Sequence, residues 1–233
     1  MDTIKAGTVP PHTNQVQTLR YNSLNNELIS IGLDDTLKFI ELSGFTYLSD
    51  IKLGSQPRGV DVSSINGTVV VACINQLIIL KNKALSQSIN TSYEPSSVSI
   101  SKDYVAVGGN DSKVHIYDLN TFQELTTISE RDFITSVRFS PDNQFLAIAD
   151  NAKNVKCYRI SEGGVPQFTD VTRDLWQHHA GKITNLSWSG NSKYLATSSV
   201  DTHSFIYNPN KISDYIQIKS KKTINFMFMF KFF

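Results

Sequence analysis

The chain of 233 residues is long enough for one large β domain or two small ones, and an apolar content of 40% is enough to build a core. Its 22 basic and 21 acidic residues nearly cancel, which excludes the strong global field that would favour nucleic acid or an anionic membrane as a partner. Two distant cysteines, Cys73 and Cys157, exclude a dense disulfide framework and are expected as small core residues of a reduced, intracellular protein.

Residues 1–11 form a lead-in without the apolar segment of a secretory signal, which predicts a cytoplasmic protein. After the lead-in, a pattern of about forty residues is written five times. Each copy begins with an apolar-x-x-apolar-x-apolar strand and continues with a second apolar strand, a turn and a third strand. The third strands end on the bulky residues Ile40, Leu80, Tyr117, Tyr158 and Tyr207.

Such a period, with about four short strands per copy, is typical of a β-propeller blade. The units are predicted at about 12–53, 55–91, 93–129, 131–171 and 178–218. No stretch has a convincing helical period, so the fold is predicted to be all-β, with helix content close to nil. In the second unit, Asn66-Gly67 predicts a two-residue type I′ hairpin turn.

Residues 219–233 lack the repeat pattern and end in FMFMFKFF, which is too short to span a membrane. This tail is predicted to be either disordered or the remnant of a truncation. Residues 12–218 are therefore predicted to form the whole propeller portion of the chain.

A recurring histidine–aspartate spacing is the most regular polar feature of the units. His12 precedes Asp34 by the same interval that separates His179 from Asp201. Asp111 holds the equivalent place in the third unit, where no matching histidine precedes it. An aspartate in a tight turn can accept from nearby backbone N–H groups and from the histidine ring, so these residues are predicted to be structural locks between loop and turn.

No catalytic or cofactor motif accompanies the repeats. The sequence lacks a phosphate-binding glycine loop, a Cys-x-x-Cys pair and a nucleophile elbow. The adjacent His178 and His179 would point to opposite sides of an extended chain, which makes a poor chelate, and His115 is expected to face outward or line a blade edge. We therefore predict a non-enzymatic protein without cofactor or metal. The alternative of a hydrolase built on a propeller would need a central cluster of histidines and carboxylates that the sequence does not indicate.

Seven short strings occur in a fixed order: HTNQV (12–16), ISIGLDDT (29–36), VVVACINQLIILK (69–81), YEP (93–95), VAVGGND (105–111), FLAIAD (145–150) and HHAGKI (178–183). With the His–Asp spacing, they make residues 12 to about 209 resemble the C-terminal half of the actin-interacting WD-repeat proteins. The resemblance implies actin filaments and cofilin as partners, and filament disassembly with cofilin as the function. A generic WD-repeat scaffold with a different partner is the alternative.

Members of that family carry two seven-bladed propellers. The resemblance therefore implies that the five units form an incomplete, open part of a ring, with the N-terminal propeller and the closing units missing. The first and last sheets of an open arc would each leave an apolar face bare, which is expected to favour self-association.

Propellers usually bind partners on the face where the loops enter the innermost strands. In the predicted register this position is held by Gln15, Gln56, Glu94, Phe133 and Lys182. Arg58, Arg131 and Lys182 could meet an acidic surface of actin, although ordinary solvated charges explain them as well. Phe133 is either an exposed contact residue or packed into an adjacent blade. These seven residues form the predicted contact set.

Overall fold

The computed structural model describes residues 10–161 and 165–222. Within these ranges the chain forms twenty strands and no helix, so neither range contains a membrane-crossing helix. The strands form five four-stranded antiparallel sheets, each made of four consecutive strands. The all-β prediction with five blade-like units is confirmed. The predicted lead-in and tail lie mostly outside the described residues.

The first sheet contains β1 (Val16–Asn22), β2 (Glu27–Gly32), β3 (Thr36–Glu41) and β4 (Thr46–Lys52). The second contains β5 (Pro57–Val62), β6 (Val69–Cys73), β7 (Gln76–Lys81) and β8 (Ala84–Asn90). The third contains β9 (Pro95–Ile100), β10 (Tyr104–Gly109), β11 (Lys113–Asp118) and β12 (Glu124–Ser129). The fourth contains β13 (Ile134–Phe139), β14 (Phe145–Asp150), β15 (Val155–Ser161) and β16 (Gln167–Asp170). The fifth contains β17 (Ile183–Trp188), β18 (Leu195–Ser199), β19 (His203–Tyr207) and β20 (Tyr215–Lys219).

Burial differs between the strands of one sheet in the way the sequence pattern requires. All five residues of β6 are buried, whereas nearly all of β8 is exposed. A continuous apolar run is stable only where both faces of the strand are covered, while an outer strand needs polar residues toward water. The second and third strands therefore carry the core, and the fourth strand meets solvent.

The chain divides into two compact units, residues 1–95 and 96–233. In unit 1 the first two sheets pack face to face through one apolar cluster. Its buried members include Ile29, Leu37, Phe39, Val60, Val71, Cys73 and Leu80. Burial raises the pKa of the Cys73 thiol to about 12, so this cysteine is an unreactive core residue, as predicted.

Unit 2 contains two apolar clusters, one between the third and fourth sheets and one between the fourth and fifth. The first cluster includes Val114, Ile116, Ile134, Leu146 and Tyr158. The second includes Phe145, Cys157, Trp176, Trp188 and Tyr207. The bulky residues that close the third strands are thus core residues here, and Cys157 is buried among them, as predicted.

The predicted two-residue turn at Asn66-Gly67 is wrong. The connection between β5 and β6 spans residues 63–68, and only Gly67, with φ of 69°, has a positive φ there. The Ser63 carbonyl accepts a hydrogen bond from the Gly67 N–H at 3.0 Å, and the Asn66 side chain accepts one from the Thr68 N–H at 3.0 Å. Local hydrogen bonding by Ser63 and Asn66 favours this longer loop over the tight hairpin.

Candidate partner-binding surface

The structure brings His12 and Asp34 together at the start of the first sheet. The His12 Nδ1 lies 2.9 Å from the Asp34 carboxylate, and its Nε2 lies 2.8 Å from the Ser30 hydroxyl. The Thr13 N–H and the Thr36 hydroxyl each donate to Asp34 at 2.8 Å. Burial opposes ionisation of Asp34, but the hydrogen bonds from His12, Thr36 and Thr13 outweigh it and lower its pKa. The loop before β1 is thereby fixed to the turn before β3.

The fifth sheet repeats this lock. The His179 Nδ1 lies 3.0 Å from the Asp201 carboxylate, and its Nε2 lies 2.7 Å from the Thr197 hydroxyl. The backbone N–H groups of Ala180 and His203 each donate to Asp201 at 2.8 Å. Burial again raises the pKa of Asp201, and these donors reverse the effect and lower it. The same sequence spacing therefore produces the same polar contacts in two sheets.

Asp111 has a different partner. The expectation that His115 faces outward or lines a blade edge is wrong, because the residue is only 6% exposed and its strand β11 pairs with a strand on each side. Its ring lies between two carboxylates. Its Nε2 lies 3.2 Å from Asp111, and its Nδ1 lies 3.2 Å from Glu124. A carboxylate at each ring nitrogen compensates the loss of water, which allows the imidazole to be buried inside the sheet.

The histidine rings and the aspartate carboxylates of these sheets form hydrogen bonds with one another. Within residues 10–161 and 165–222, histidine, cysteine and acidic side chains do not converge in groups of three that could hold a metal ion. The His12–Asp34 and His179–Asp201 contacts instead pair both ring nitrogens of each histidine with groups of the same sheet. The arrangement can hold loops rigidly, and it presents the neighbouring side chains in fixed positions.

Five members of the predicted contact set, Gln15, Gln56, Glu94, Phe133 and Lys182, occupy one repeated position, directly before the first strand of their sheet. For Gln15, Gln56, Phe133 and Lys182 the backbone carbonyl accepts a hydrogen bond of 2.8 to 3.0 Å from the residue that follows the second strand. The pairs, carbonyl first, are Gln15 and Leu33, Gln56 and Ile74, Phe133 and Asn151, and Lys182 and Val200. The same four first strands carry a bulge near their start. Because this geometry is repeated, each of the four residues lies at the corresponding end of its own sheet.

In unit 1, part of the contact set is engaged in an internal ion pair. The Arg58 guanidinium lies 3.0 Å from the Glu94 carboxylate, and both side chains are 38% exposed. Gln15 is exposed and Gln56 is partly buried. A half-exposed pair of this kind contributes little to stability, so both charges remain within reach of a partner.

In unit 2, Arg131 and Lys182 are exposed and Phe133 is partly buried. The Arg131 guanidinium lies 3.4 Å from Asp174, and Asp132 accepts a hydrogen bond from the Phe133 N–H at 2.7 Å. The structure thus places these three residues at one edge of unit 2. The contact set remains a prediction.

Comparisons with known proteins agree with this architecture. Residues 137–230 match the family model of the WD40 domain of anaphase-promoting complex subunit 4. The chain is 34% identical over 212 residues to Actin-interacting protein 1 of Caenorhabditis elegans, which covers 88% of this chain and 34% of the relative. It is 33% identical over 204 residues to WD repeat-containing protein 1-B of Xenopus laevis, covering 84% of this chain and 32% of the relative.

The chain is a WD-repeat homologue of these proteins. The "66 kDa stress protein" of Physarum polycephalum is similar to the same extent, with 30% identity over 201 residues, 84% of this chain and 32% of the relative. The resemblance stated from the sequence is therefore confirmed. The WD-repeat chain spans about a third of the length of the relatives it matches.

Sequence reasoning missed one segment of this WD-repeat chain, the connection between β16 and β17. It spans residues 171–182, whereas the equivalent connections before the other first strands span only residues 53–56, 91–94 and 130–133. The available signal was the interval between Tyr158 and Tyr207, which is wider than the intervals between the other successive third-strand end residues. Most connections in compact domains have about 4–6 residues, so this one is long for its fold.

The long connection is anchored at its centre. Trp176 is fully buried, its ring centroid lies 4.4 Å from that of Tyr207, and its indole N–H donates to the Ile212 carbonyl at 3.0 Å. Just before it, Arg173 and Asp174 both have positive φ, at 49° and 59°. The Leu175 N–H closes this turn by donating to the Thr172 carbonyl at 2.9 Å, and the buried Trp176 ring anchors the chain that follows it.

Proposed function

We propose that this WD-repeat chain is a non-enzymatic actin-binding module of the cytoplasm that promotes disassembly of actin filaments together with cofilin. The supporting observation is similarity along most of the chain to two proteins named Actin-interacting protein 1. These are the Caenorhabditis relative and that of Drosophila melanogaster, which is 29% identical over 208 residues and 86% of this chain. The site of action would be the cytoplasmic actin cytoskeleton.

The chemistry of the sheet ends supports binding rather than catalysis. The His12–Asp34 and His179–Asp201 locks use their polar atoms on one another. Exposed polar and charged side chains such as Gln15 and Lys182 lie beside them, and their backbone carbonyls are hydrogen-bonded. Rigid presentation of this kind lowers the entropic cost of association with a large partner.

Co-sedimentation tests the proposal. The chain would be centrifuged with bare filaments, with cofilin-decorated filaments and alone, with the Caenorhabditis relative as positive control. We expect the chain to enter the pellet with decorated filaments and to increase the actin left in the supernatant. If the relative pellets while this chain stays in solution and the actin distribution is unchanged, the proposed function is wrong.

A scaffold within a different assembly is the second candidate. The match of residues 137–230 to the WD40 domain of an anaphase-promoting complex subunit favours it, because that domain is named for its place in a complex. Affinity capture with the tagged chain separates the two functions. Recovery of subunits of that complex without actin or cofilin would favour the scaffold, and recovery of actin and cofilin would favour the first proposal.

A further inference from the structure

We propose that the connection 171–182 and its neighbours form a docking edge for a protein surface in which carboxylates surround an apolar pocket. The docking edge consists of Arg131, Phe133, Arg173, Leu175, Lys182 and Val200. All six lie in unit 2, at the end of the fourth and fifth sheets where β13 and β17 begin. The proposal goes beyond the proposed function, since it names the contact segment and the chemistry of its partner.

The charges of the docking edge favour an acidic partner. Within the described residues, neither Arg173 nor Lys182 has a carboxylate at ion-pair distance. The nearby acids are engaged, since Asp174 lies 3.4 Å from Arg131, and Asp132 accepts hydrogen bonds from the Phe133 N–H and the Asn151 amide. Three basic side chains, Arg131, Arg173 and Lys182, stand against two acidic ones, Asp132 and Asp174, so this region carries a net charge of +1, which attracts carboxylates.

Apolar side chains lie between these charges. Leu175 is 50% exposed and Val200 is 45% exposed, while Phe133 is partly buried. Val200 is held beside Lys182, because its N–H donates to the Lys182 carbonyl at 3.0 Å. Apolar groups ringed by charge are the arrangement that gives binding energy at the centre of a protein interface and specificity at its rim.

The turn that presents Leu175 is preorganised. Two successive residues other than glycine, Arg173 and Asp174, have positive φ, as the two central residues of a type I′ turn do. The Leu175 N–H closes the turn by donating to the Thr172 carbonyl at 2.9 Å, and buried Trp176 anchors the chain directly after it. Because the turn is already ordered, a partner would not have to supply the free energy of ordering it.

A charge reversal with a matched control tests the docking edge. Arg173→Glu alters the edge, and Lys193→Glu makes the same exposed change in the turn at the opposite end of the fifth sheet. Leu175→Ser and Val165→Ser form the apolar pair, since Val165 is 52% exposed and lies outside the edge. Circular dichroism melts would verify that all four variants remain folded.

Two probes are used, so that this inference and the proposed function can fail separately. The first is cofilin-decorated actin filaments in co-sedimentation, and the second is a labelled synthetic peptide of alternating glutamate and phenylalanine, followed by fluorescence anisotropy. For each probe we expect Arg173→Glu and Leu175→Ser to weaken binding about tenfold, equivalent to about 1.4 kcal/mol. The two control variants should remain within about twofold of the parent, the usual reach of a change to a non-contacting surface residue.

The outcomes are distinct. Failure of the parent chain to bind filaments, with peptide binding that depends on Arg173, overturns the proposed function and supports the docking edge. Filament binding that Arg173→Glu and Leu175→Ser leave unchanged overturns the docking edge and supports the proposed function. Absence of peptide binding together with absence of filament binding overturns both.

Discussion

Single aspartates hold the ends of two sheets through several donors at once. Asp201 accepts from the His179 ring and from the N–H groups of Ala180 and His203. Removing the Asp201 carboxylate therefore leaves the buried His179 ring and the partly buried His203 N–H without their acceptor. A buried donor without an acceptor costs more than the hydrogen bond itself contributes. The spacing of histidine and aspartate in these sheets therefore contributes to the stability of the fold.

We expect Asp201→Ala to lower the free energy of unfolding by about 2–4 kcal/mol, because the His179 ring and two N–H groups lose their acceptor. Urea titration followed by circular dichroism measures the change. Asp214→Ala is the control, since Asp214 is exposed and should cost less than about 0.5 kcal/mol. Equal effects of the two substitutions would show that the lock adds nothing to stability.

Acid is expected to lower the stability of the fifth sheet, because protons bind to the adjacent His178 and His179. Burial lowers the pKa of His178, and it lowers that of His179 although Asp201 opposes the shift. The unfolded chain, whose histidines titrate near 6.5, then takes up protons at a higher pH than the folded chain. This stabilisation is complete above about pH 6.5 and is lost as the pH falls below that value.

We therefore expect a lower melting temperature at pH 5.0 than at pH 7.5, and a smaller difference in His178→Phe. Phenylalanine retains the ring packing against Tyr215, whose centroid lies 4.0 Å from that of His178, but cannot bind a proton. Thermal melts by circular dichroism at the two pH values provide the comparison. The same acid shift in parent and variant would contradict a role for His178.

At the scale of elements, the local sequence pattern explains the strands, whereas the position of the 171–182 connection depends on a buried side chain. The fully apolar β6 is buried and the polar β8 is exposed, as their sequences indicate. The 171–182 connection has no periodic pattern, and its position depends on Trp176 inserting against Tyr207. Its order is therefore a property of a contact between residues far apart in the chain.

We expect Trp176→Ala to lower the free energy of unfolding by about 3–5 kcal/mol, because it removes a large buried ring and leaves the Ile212 carbonyl without its donor. It should also speed tryptic cleavage after Arg173, which limited proteolysis with mass spectrometry detects. Cleavage after the exposed Lys193 in the folded chain serves as the internal reference. If the rate at Arg173 relative to Lys193 is unchanged, Trp176 is not the anchor.

At the scale of the whole molecule, unit 1 carries an apolar row across one sheet face. Tyr21 pairs with Leu28, and Leu28 pairs with Ile40 on the next strand, so the three side chains lie side by side. Tyr21 is 55% exposed and the neighbouring Leu19 is 40% exposed. Leu28 and Ile40 are partly buried, so Tyr21 and Leu19 form the exposed part of the row, and exposed apolar groups of this kind favour contact with a second surface.

We expect the chain to self-associate at high concentration, and we expect Tyr21→Lys to weaken this association, because a charged side chain in the apolar row resists desolvation. Sedimentation velocity over a concentration series measures the average mass. Leu85→Lys is the control, since Leu85 is 62% exposed on the outer strand β8. A monomer at all concentrations, or equal effects of both variants, would contradict the expectation.

The sequence alone predicted the repeated sheets and the contacts of His12 with Asp34 and of His179 with Asp201. These features depend on periodicity and spacing, which a linear chain records directly. It did not predict the long loop at residues 63–68, the burial of His115 or the anchored turn at Arg173, because each depends on hydrogen bonds or packing whose outcome a local pattern does not specify. The predicted contact set illustrates the division. Five of its members could be placed directly before their first strands from the sequence, but only the tertiary structure showed that Arg58 faces Glu94 and that Arg131 meets Asp174. Local pattern determines which segments become strands, whereas the neighbours of an exposed charge are decided by how separate segments pack.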